Sequence, residues 1–593
     1  MKKIFILKRE NIFPDLSIFK RINDFLWKRL IEKEIEKSKN DGKTIISDIN
    51  IQELKNFADY VDKKKVEFKP YYEYIDGVNF ARKILALPDL NKIEDFDKIK
   101  KVIFAWFTYF LIPKLQDINI IEAIIKENPD NVAYFKIGIF GRIVSEICKI
   151  NSIKTTEINS WIFKFHSLFN ALRNRFEILL RFSNFKSIKR REFSKTNNKP
   201  SDKSVIIASF DGYYSDRLSS IYKTLKKEDF SVLIRDFSLI ASLEKEGIYY
   251  NSFGDFLSEK DIQEIKKKAH SIFEIVKEIT KDEIMYHDIN IINILKDDLI
   301  FAIYNDIIYA LYYTRAVENI TKHKQRLIVI SDNVIIPDSV IATVVKENNS
   351  KSLVIQNGIY SDPTGRGILP IISDKIAIWG NAVKEYSKEI KEKGVITGNI
   401  RFDKYKKIPK ISNNKYIILA TQAFDGYSAL KEKKLMLKAS ISAIKNFPGK
   451  KLIIKSHPRD DVKWILNYIS DSEVKNVILD KNTPTEELLP YCEALITTNS
   501  TLMLDAMILK KPVINLNLIN RSEILNHVKS GAVIGVYKEE NLTSAIKKIN
   551  DLEFVENMNK KANKFLKEYC YKIDGNSAER VGQLIKKMTI KND

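Results

Sequence analysis

The last third of the chain alternates short apolar runs with segments of helical length, and this alternation constrains the fold more than any other feature. Amphipathic segments separate the runs, as at residues 427–447. Buried strands that alternate with helices of this length are typical of a doubly wound parallel sheet. The apolar runs lie at residues 416–420, 451–455, 477–480, 494–497 and 512–516. We therefore predict an α/β domain over residues 406–593.

A second alternating block precedes the first and covers residues 204–405. Its apolar runs are SVIIASF, SVLIRDF, LIVIS, LVIQN and KIAIWG, and long helical segments lie between some of them. The pattern predicts a second Rossmann-like domain that is more helical than the C-terminal one. The join at residues 397–415 contains Gly398 and Pro409, which suit an interdomain hinge. The predicted fold class is α/β, with two doubly wound domains that face a cleft.

Residues 1–203 show a weaker pattern, from α/β at the start to mostly helical. Strands are predicted at 4–7 and near 132–137, among several amphipathic helices. Aromatic and basic side chains mix over residues 161–185, and Lys and Arg dominate the following segment, 181–203. This combination is typical of a membrane-surface element, and equally of a core-packing helix followed by a solvated linker. The sequence leaves both interpretations open.

The net charge of the chain limits the classes of partner. With 99 Lys and Arg against 77 Asp and Glu, the formal net charge is +22. The positive charge favours anionic partners such as nucleotides, lipid headgroups or nucleic acid, unless the lysines are only solvated. A basic nucleic-acid-binding protein is one alternative, although the chain has no Walker loop, no zinc-finger spacing and no RNA-binding aromatic motif.

The cysteines and the apolar runs indicate a compartment. Cys148, Cys492 and Cys570 lie far apart and are odd in number, so they form neither a disulfide framework nor a metal cluster. The N-terminal residues have the pattern of a first β-strand rather than a signal peptide. The longest apolar run, residues 102–112, is too short to span a bilayer. We expect a cytoplasmic protein, in peripheral contact with the inner face of the membrane if the basic aromatic segment binds lipid.

Two polar turns follow strands of the C-terminal block and form the best candidate site. Ligands bind open α/β sheets at the carboxyl ends of the strands, and the start of a helix attracts anions such as phosphate. Basic side chains in the first turn would add charge for a diphosphate. The first turn contains Lys455, Ser456, His457 and Arg459, and the second contains Thr498, Asn499, Ser500 and Thr501.

Each of these residues also has a plain structural interpretation. His457 could be an ordinary loop histidine before a proline that fixes the turn. Ser500 and Thr501 could only cap the following helix. Asp505, one helical turn further on, could accept hydrogen bonds from the hydroxyls of a ribose or a glycerol, or could be a solvated helix carboxylate.

These motifs together resemble a known family. Two α/β blocks, a histidine-proline turn in the second, and a polar turn-helix that ends in KPVI resemble the GT-B glycosyltransferase superfamily. Within it, the pattern is most similar to CDP-glycerol glycerophosphotransferases and related capsule and surface-polysaccharide transferases. The matching residues are Ser500, Thr501, Asp505, Lys511 and Pro512, the segment 397–403 with its glycine-x-x-arginine-x-aspartate pattern, and the segments 355–358 and 373–380.

The resemblance covers about residues 204–585, and two departures from related patterns narrow the choice. Many GT-B enzymes have glutamate where Asp505 stands and glycine where Lys510 stands, and the first difference disfavours a UDP-sugar donor. The UDP-GlcNAc epimerases share the fold but carry paired glycines and paired glutamates near residue 500, and this chain does not. CDP-glycerol, CMP-linked acidic sugars and UDP-hexoses stay open as donors, and an epimerase is disfavoured.

The resemblance implies an enzyme of the cell envelope. It would be a metal-independent transferase that moves a sugar or a polyol phosphate from a nucleotide-activated donor to a surface polysaccharide or a lipid-linked acceptor. The donor would bind the C-terminal block at the two turns, Thr421, Asp505 and Gly358, with His457 as a catalytic residue. No cofactor beyond the donor and no metal are expected. A catalytically inactive GT-B domain that acts as an assembly partner is a further alternative.

A catalytic base should come from the N-terminal GT-B block. Asp211 follows the first strand of that block in SFDGYYSDR. An acidic residue before glycine resembles half of the motif that provides the base in bacterial sialyltransferase-like GT-B enzymes. Asp216 and Asp332 are rival candidates, and an Asp-Gly turn without a chemical role is equally consistent with the sequence.

Overall fold

The computed structural model describes most of the chain in two compact units. The first unit comprises Met1–Ser194, Leu257–Ala316 and Ile335–Val340, and the second comprises Lys195–Phe256, Val317–Val334 and Ile341–Asp593. The described residues are 3–7, 44–47, 55–56, 79–93, 96–135, 138–158, 194–196, 198–209, 219–331, 337–359, 371–407, 416–422, 427–457, 460, 462–520, 523 and 525–589.

The first unit contains a parallel sheet of five strands. They are β1 (Lys3–Leu7), β2 (Thr44–Ser47), β3 (Lys55–Asn56), β4 (Asn131–Phe135) and β5 (Lys154–Ile158). Their order is β3-β2-β1-β4-β5, and every neighbouring pair is parallel. The two strands predicted from the sequence are β1 and β4. The other three were not predicted, so this region contains a doubly wound sheet beside its helices.

Helices make up most of the other residues that the structure describes in the first unit. They are α1 (Phe96–Ile125), α2 (Gly138–Ile150), α4 (Glu259–Glu278) and α5 (Ile291–Thr321), which runs on into the second unit. A short hairpin joins β9 (Met285–Tyr286) to β10 (Ile289–Asn290). The apolar run at 102–112 lies in α1, which continues past its proline, and Ile103, Phe107 and Leu111 are fully buried. Within the described residues, no helix has the length and apolar character needed to cross a membrane.

The first sheet of the second unit has seven parallel strands. They are β6 (Val205–Ser209), β7 (Phe230–Ile234), β8 (Tyr250–Ser252), β11 (Leu327–Ile330), β12 (Lys351–Ile355), β13 (Lys375–Ile378) and β14 (Gly394–Ile396). The order is β14-β13-β12-β11-β6-β7-β8. The described helices of this block include α3 (Ile240–Glu246), α6 (Asp338–Glu347) and α7 (Lys388–Lys393). The order reverses between β6 and β11, as in other doubly wound sheets.

The second sheet has six parallel strands in the order β17-β16-β15-β18-β19-β20. They are β15 (Tyr416–Ala420), β16 (Lys451–Lys455), β17 (Val477–Asp480), β18 (Cys492–Thr497), β19 (Val513–Leu516) and β20 (Ile534–Val536). Their helices are α8 (Tyr427–Ile444), α9 (Val462–Asp471), α10 (Thr485–Leu488), α11 (Leu502–Ile508) and α12 (Asn541–Lys548). Apolar cores cover both faces, which explains the continuous apolar runs in the sequence.

The last two helices connect the two sheets of the second unit. Helix α13 (Leu552–Cys570) packs Phe565 and Leu566 into a core of the second sheet. Helix α14 (Ser577–Thr589) packs Val581 and Ile585 into the core of the first sheet. The chain therefore crosses between the sheets twice, after β14 and after α13. Two doubly wound sheets with this connectivity confirm the predicted GT-B class. The domain boundaries at 203/204 and 405/406 stay predictions.

Candidate functional site

The polar residues singled out in the sequence gather at the carboxyl edge of the second sheet. Strand β15 lies between β16 and β18, and this is where the strand order reverses. Thr421 directly follows β15, and its backbone N–H donates to the carbonyl of Lys455 at 3.1 Å. The side chain of Gln422 donates to the carbonyl of Thr498 beyond β18. Both predicted turns are therefore tied to the end of one central strand, at the switch point where such sheets bind ligands.

The turn after β16 is built around His457. The backbone N–H of His457 lies 2.9 Å from the hydroxyl of Thr421 and 2.9 Å from a carboxylate oxygen of Asp460. The N–H of Asp460 donates back to the carbonyl of His457 at 2.8 Å. Ser456 is buried beside them, whereas His457 is half-buried at the sheet edge. The imidazole is thus carried by a backbone that several hydrogen bonds fix.

The turn after β18 is held from two directions. Asn499 has a positive φ of 48°, a conformation that asparagine tolerates better than most residues. Its N–H donates to the side-chain oxygen of Asn515 at 3.1 Å. The Thr498 hydroxyl is fully buried and donates to the carbonyl of Leu516 at 2.5 Å, so Thr498 links the turn to the end of β19. Ser500 is partly exposed, and its hydroxyl accepts from the N–H of Leu502 at 3.3 Å.

Thr501 begins a short helix at this turn. It is partly exposed and precedes α11, which has seven residues. The hydroxyl of Ser500, rather than that of Thr501, caps a backbone N–H of this helix. The two hydroxyls therefore differ in their hydrogen bonds: that of Ser500 accepts from a helix N–H, whereas that of Thr501 makes no side-chain capping bond within the described residues.

Lys455 has a different environment from the one its position predicts. Its ammonium group lies 3.7 Å from the carboxylate of Asp480 and donates to the carbonyl of Lys481 at 3.0 Å. Lys455 and Asp480 are register partners on β16 and β17, so they form a cross-strand ion pair. The cation is directed toward β17, away from the side on which β15 and β18 lie.

Asp505 also differs from its predicted environment. The side chain is fully buried in α11 rather than open to a ligand. One carboxylate oxygen accepts from the hydroxyl of Tyr405 at 2.5 Å, and the other lies 2.9 Å from the guanidinium of Arg401. Burial raises the pKa of Asp505, and Arg401 and the Tyr405 bond oppose that rise. The structure gives this carboxylate protein partners where the sequence predicts hydroxyls of a donor.

The segment between the two sheets uses each residue of its glycine-x-x-arginine-x-aspartate pattern for assembly. Gly398 has φ +82°, and a Cβ atom there would lie 2.7 Å from the Ser577 hydroxyl. Arg401 pairs with the buried Asp505. Asp403 accepts from the N–H groups of Ser577 and Ala578 at 3.0 and 2.8 Å and so caps α14. Glycine is required at 398 for its φ and for the close approach of α14.

Gly358 lies after β12 in the first sheet. No described residue lies within 4 Å of the position that a Cβ atom would take, so the described part of the chain leaves space beside this glycine. Its carbonyl accepts from the side chain of Gln356 at 2.9 Å, and Gln356 also accepts from the N–H of Trp379 at 2.8 Å. Gln356 thus fixes the backbone that leads to Gly358.

Several predicted residues lie outside the described part of the chain. These are Arg459 of the first turn, the candidate base Asp211 with its rivals Asp216 and Asp332, and the basic aromatic stretch at 161–185. Their roles stay predictions. In the described part of the chain, no group of three or more His, Cys, Asp or Glu side chains could hold a metal ion.

The sequence did not reveal the residues that support the site from beneath. They are Gln422, Lys433, Asp460 and Asn515 around the two turns, and Tyr405 beside Asp505. Arg401 belongs to the pattern of residues 397–403, but that pattern does not predict its pairing with Asp505. Asp460 and Gln422 each lie within three residues of a predicted site residue, and only that proximity could have indicated them. Lys433 and Asn515 lie on neighbouring elements, and their contacts depend on the tertiary fold.

Comparison with known proteins agrees with this architecture. Residues 397–587 match the family model described as CDP-Glycerol:Poly(glycerophosphate) glycerophosphotransferase. The chain is a GT-B protein that resembles the CDP-glycerol glycerophosphotransferases. The match spans the segment between the sheets, the whole second sheet and both polar turns. It confirms the predicted resemblance and the predicted class of enzyme, a transferase that uses a nucleotide-activated donor. A search of curated protein sequences found no match.

Three solved structures illustrate the similarity of fold. A co-structure of S. aureus MnaA with UDP has 14% identity and a TM-score of 0.42, over 65% of this chain and 96% of that one. UDP-GlcNAc 2-epimerase from Methanocaldococcus jannaschii, in complex with UDP-GlcNAc and UDP, has 17% identity and a TM-score of 0.39, over 65% and 99%. The wall teichoic acid polymerase TagF, a variant soaked with CDPG, has 15% identity and a TM-score of 0.38, over 72% and 98%.

Proposed function

We propose that this protein transfers glycerol phosphate from CDP-glycerol to a surface polysaccharide or a lipid-linked acceptor. The observation that carries the proposal is the position of the two polar turns. Both lie inside the matched region 397–587, and both are bonded to the end of β15 at the switch point of the second sheet. A nucleotide diphosphate is the ligand that suits this edge. CMP-linked acidic sugars and UDP-hexoses are the competing donors that the experiments below separate.

The leaving phosphate would be stabilised by groups whose positions the fold fixes. Two lysines at this edge are already neutralised, since Lys455 pairs with Asp480 and Lys433 with Asp460. Among the described residues, the weight of anion binding therefore falls on His457 and on the hydroxyls of Ser500 and Thr501, with Arg459 as a further proposed ligand. Fixed hydrogen-bond donors aimed at developing charge stabilise a transition state without reorganisation. We assign His457 the role of donating to an oxygen of the leaving phosphate.

The acceptor hydroxyl would lose its proton to a carboxylate as it attacks the β-phosphorus of the donor. The phosphoanhydride bond breaks, CMP leaves, and the glycerol phosphate remains on the acceptor oxygen. We propose Asp211 as this general base, with Asp216 and Asp332 as the alternatives to test by substitution. The acceptor would bind the first sheet of the second unit. If it is lipid-linked, the basic aromatic stretch at 161–185 would hold the protein at the cytoplasmic face of the membrane.

Ligand-induced stabilisation tests the donor class. A ligand at one hundred times its Kd stabilises the folded state by about 2.7 kcal/mol. The melting temperature of the full chain should therefore rise most with CMP and CDP, and less with UDP and GDP. A larger rise with UDP would redirect the proposal to a UDP-hexose donor.

Release of CMP from CDP-glycerol tests the site. The His457→Ala and Ser500→Ala variants should lose most turnover, whereas His323→Ala, which changes an exposed histidine of the same unit, should retain it. The proposal fails if both site variants keep wild-type turnover and nucleotide binding.

Membrane contact needs an experiment of its own. The full chain should sediment with vesicles that contain phosphatidylglycerol more than with vesicles of phosphatidylcholine, and this preference should fall steeply as salt is added. Replacing Arg173 and Arg175 by glutamate should weaken the binding. Equal binding to both kinds of vesicle, or equal binding of the variant, would assign the segment to core packing instead.

A further inference from the structure

The best-defined group at the candidate site, after the predicted residues themselves, is a buried carboxylate that holds His457 in place. We propose that Asp460 is a positioning residue: with Thr421 and Lys433 it fixes the turn that presents the His457 imidazole to the donor. This inference rests on the proposed function, because it assigns Asp460 a role in the same site. Asp460 itself need not touch the substrate.

The hydrogen bonds of Asp460 all point into the protein. One carboxylate oxygen accepts from the Thr421 hydroxyl at 2.5 Å and from the His457 N–H at 2.9 Å. The other oxygen pairs with the ammonium group of Lys433. The Asp460 side chain is only 1% exposed. A carboxylate whose two oxygens are both engaged in this way acts through the residues it holds and not on a ligand.

Thr421 extends this arrangement to the central strand. Its N–H bonds to the Lys455 carbonyl, which continues the β15–β16 ladder one residue beyond the strands. Its hydroxyl donates to Asp460 and lies 2.9 Å from the His457 N–H, from which it can accept. The position of the His457 backbone is therefore set relative to β15, the same strand end to which the Ser500 turn is tied through Gln422.

Lys433 forms an ion pair with the buried Asp460 carboxylate and so compensates its charge. It comes from α8, and its side chain is 12% exposed. A buried carboxylate without a cation would take up a proton or draw in water, and then it would no longer accept every bond that shapes the turn. The ion pair offsets the cost of burying the carboxylate that accepts from Thr421 and His457.

Displacement of the imidazole should reduce turnover while the fold persists. A misplacement of about 1 Å in a catalytic group can cost on the order of 100-fold in rate. In Asp460→Asn, an NH₂ group replaces one oxygen and must face either the Lys433 ammonium or the N–H and hydroxyl donors of the turn. We expect kcat for CMP release to fall by about 10- to 100-fold, with a smaller change in KM.

A double-mutant cycle separates positioning from general damage. If Asp460 acts through His457, then Asp460→Asn should cost about 10- to 100-fold in the wild-type background and close to nothing in the His457→Ala background. A purely structural role would give the same fold-loss in both backgrounds. Thr421→Val provides a milder second variant should Asp460→Asn not fold, and Thr421→Ser, which restores the hydroxyl, should restore turnover.

A matched control lies at the other end of the same strand. Lys450, just before β16, forms a partly buried ion pair with Glu493. The Lys450 side chain is 22% exposed and the Glu493 side chain is 17% exposed. Lys450→Met should lower the melting temperature about as much as Lys433→Met, yet leave turnover unchanged. The inference is overturned if Asp460→Asn and Thr421→Val turn over normally, or if their losses persist fully without His457. If His457→Ala itself is fully active, the proposed function fails instead.

Discussion

The buried carboxylate of Asp505 supports a prediction whose size follows from the structure. Tyr405 is 6% exposed, and its hydroxyl donates to the fully buried Asp505 at 2.5 Å. Tyr405→Phe removes this hydroxyl and keeps the ring. A hydrogen bond to a charged group contributes about 1.5–3 kcal/mol, whereas a bond between neutral groups contributes about 0.5–1.5 kcal/mol. Tyr416→Phe is the matched control, because its hydroxyl donates to the neutral carbonyl of Leu488 at 2.9 Å.

Amide hydrogen exchange followed by mass spectrometry measures the local effect without assuming two-state unfolding of the whole chain. Peptides that cover residues 400–407 and 502–508 should lose protection by about 10- to 150-fold in Tyr405→Phe, which is 1.5–3 kcal/mol at about 1.4 kcal/mol per factor of ten. Tyr416→Phe should lose about 10-fold or less in the peptides around it. Equal losses in the two variants would refute the view that Asp505 is a buried, charged acceptor.

The same variant should respond to pH with a defined sign. Burial raises the pKa of Asp505 above its unfolded value of 3.8, and the Tyr405 bond opposes this rise. A raised pKa in the folded state means that the protonated form favours folding, so this contribution to stability is present at low pH and lost as the pH rises. Removing the hydroxyl raises the pKa further. The stability penalty of Tyr405→Phe should therefore shrink between pH 7 and pH 4, once intrinsic exchange rates are corrected.

Three further predictions concern stability. Gly398→Ala should destabilise the protein, because it combines a φ of +82° with a Cβ atom 2.7 Å from the Ser577 hydroxyl, whereas Gly449→Ala, with nothing within 4 Å, should have little effect on the melting temperature. Asp403→Ala should cost about 1–2 kcal/mol through loss of the cap of α14, and Asp403→Asn should cost less, as urea unfolding would show. Burial lowers the pKa of His527 below 6.5, and the charge of Glu523 opposes this shift. The stability of the fold should therefore fall as the pH drops below 6.5. His527→Leu should make the stability depend less on pH.

The sequence identified the second sheet well because its strands are buried on both faces. The runs predicted at 416–420, 451–455 and 477–480 coincide with β15, β16 and β17. Continuous apolar runs of this length, each followed by polar residues, leave little choice of period or boundary. The short strands β8, β14 and β20 have three residues each, too few for any periodicity to stand out.

Side-chain environments at the site were less predictable, because they depend on register and on helix rotation. The sequence predicts Lys455 to be a phosphate ligand, but the register between β16 and β17 places Lys455 opposite Asp480. The sequence predicts Asp505 to be accessible, but the rotation of α11 directs its side chain toward Tyr405. Neither the register nor the rotation is encoded near these residues in the sequence. The strand ends were predictable, whereas the direction of each side chain was not.

The residues that carry the family pattern therefore divide into two physical roles. Gly398, Arg401 and Asp403 tie the first crossing between the sheets to α14 and α11, and Arg580 of α14 returns a bond to the carbonyl of Thr397 at 2.6 Å. The two crossings are thus fastened to each other at one point. In the proposed function, the chemistry belongs instead to the turns at the end of β15, where His457, Ser500 and Thr501 are partly exposed.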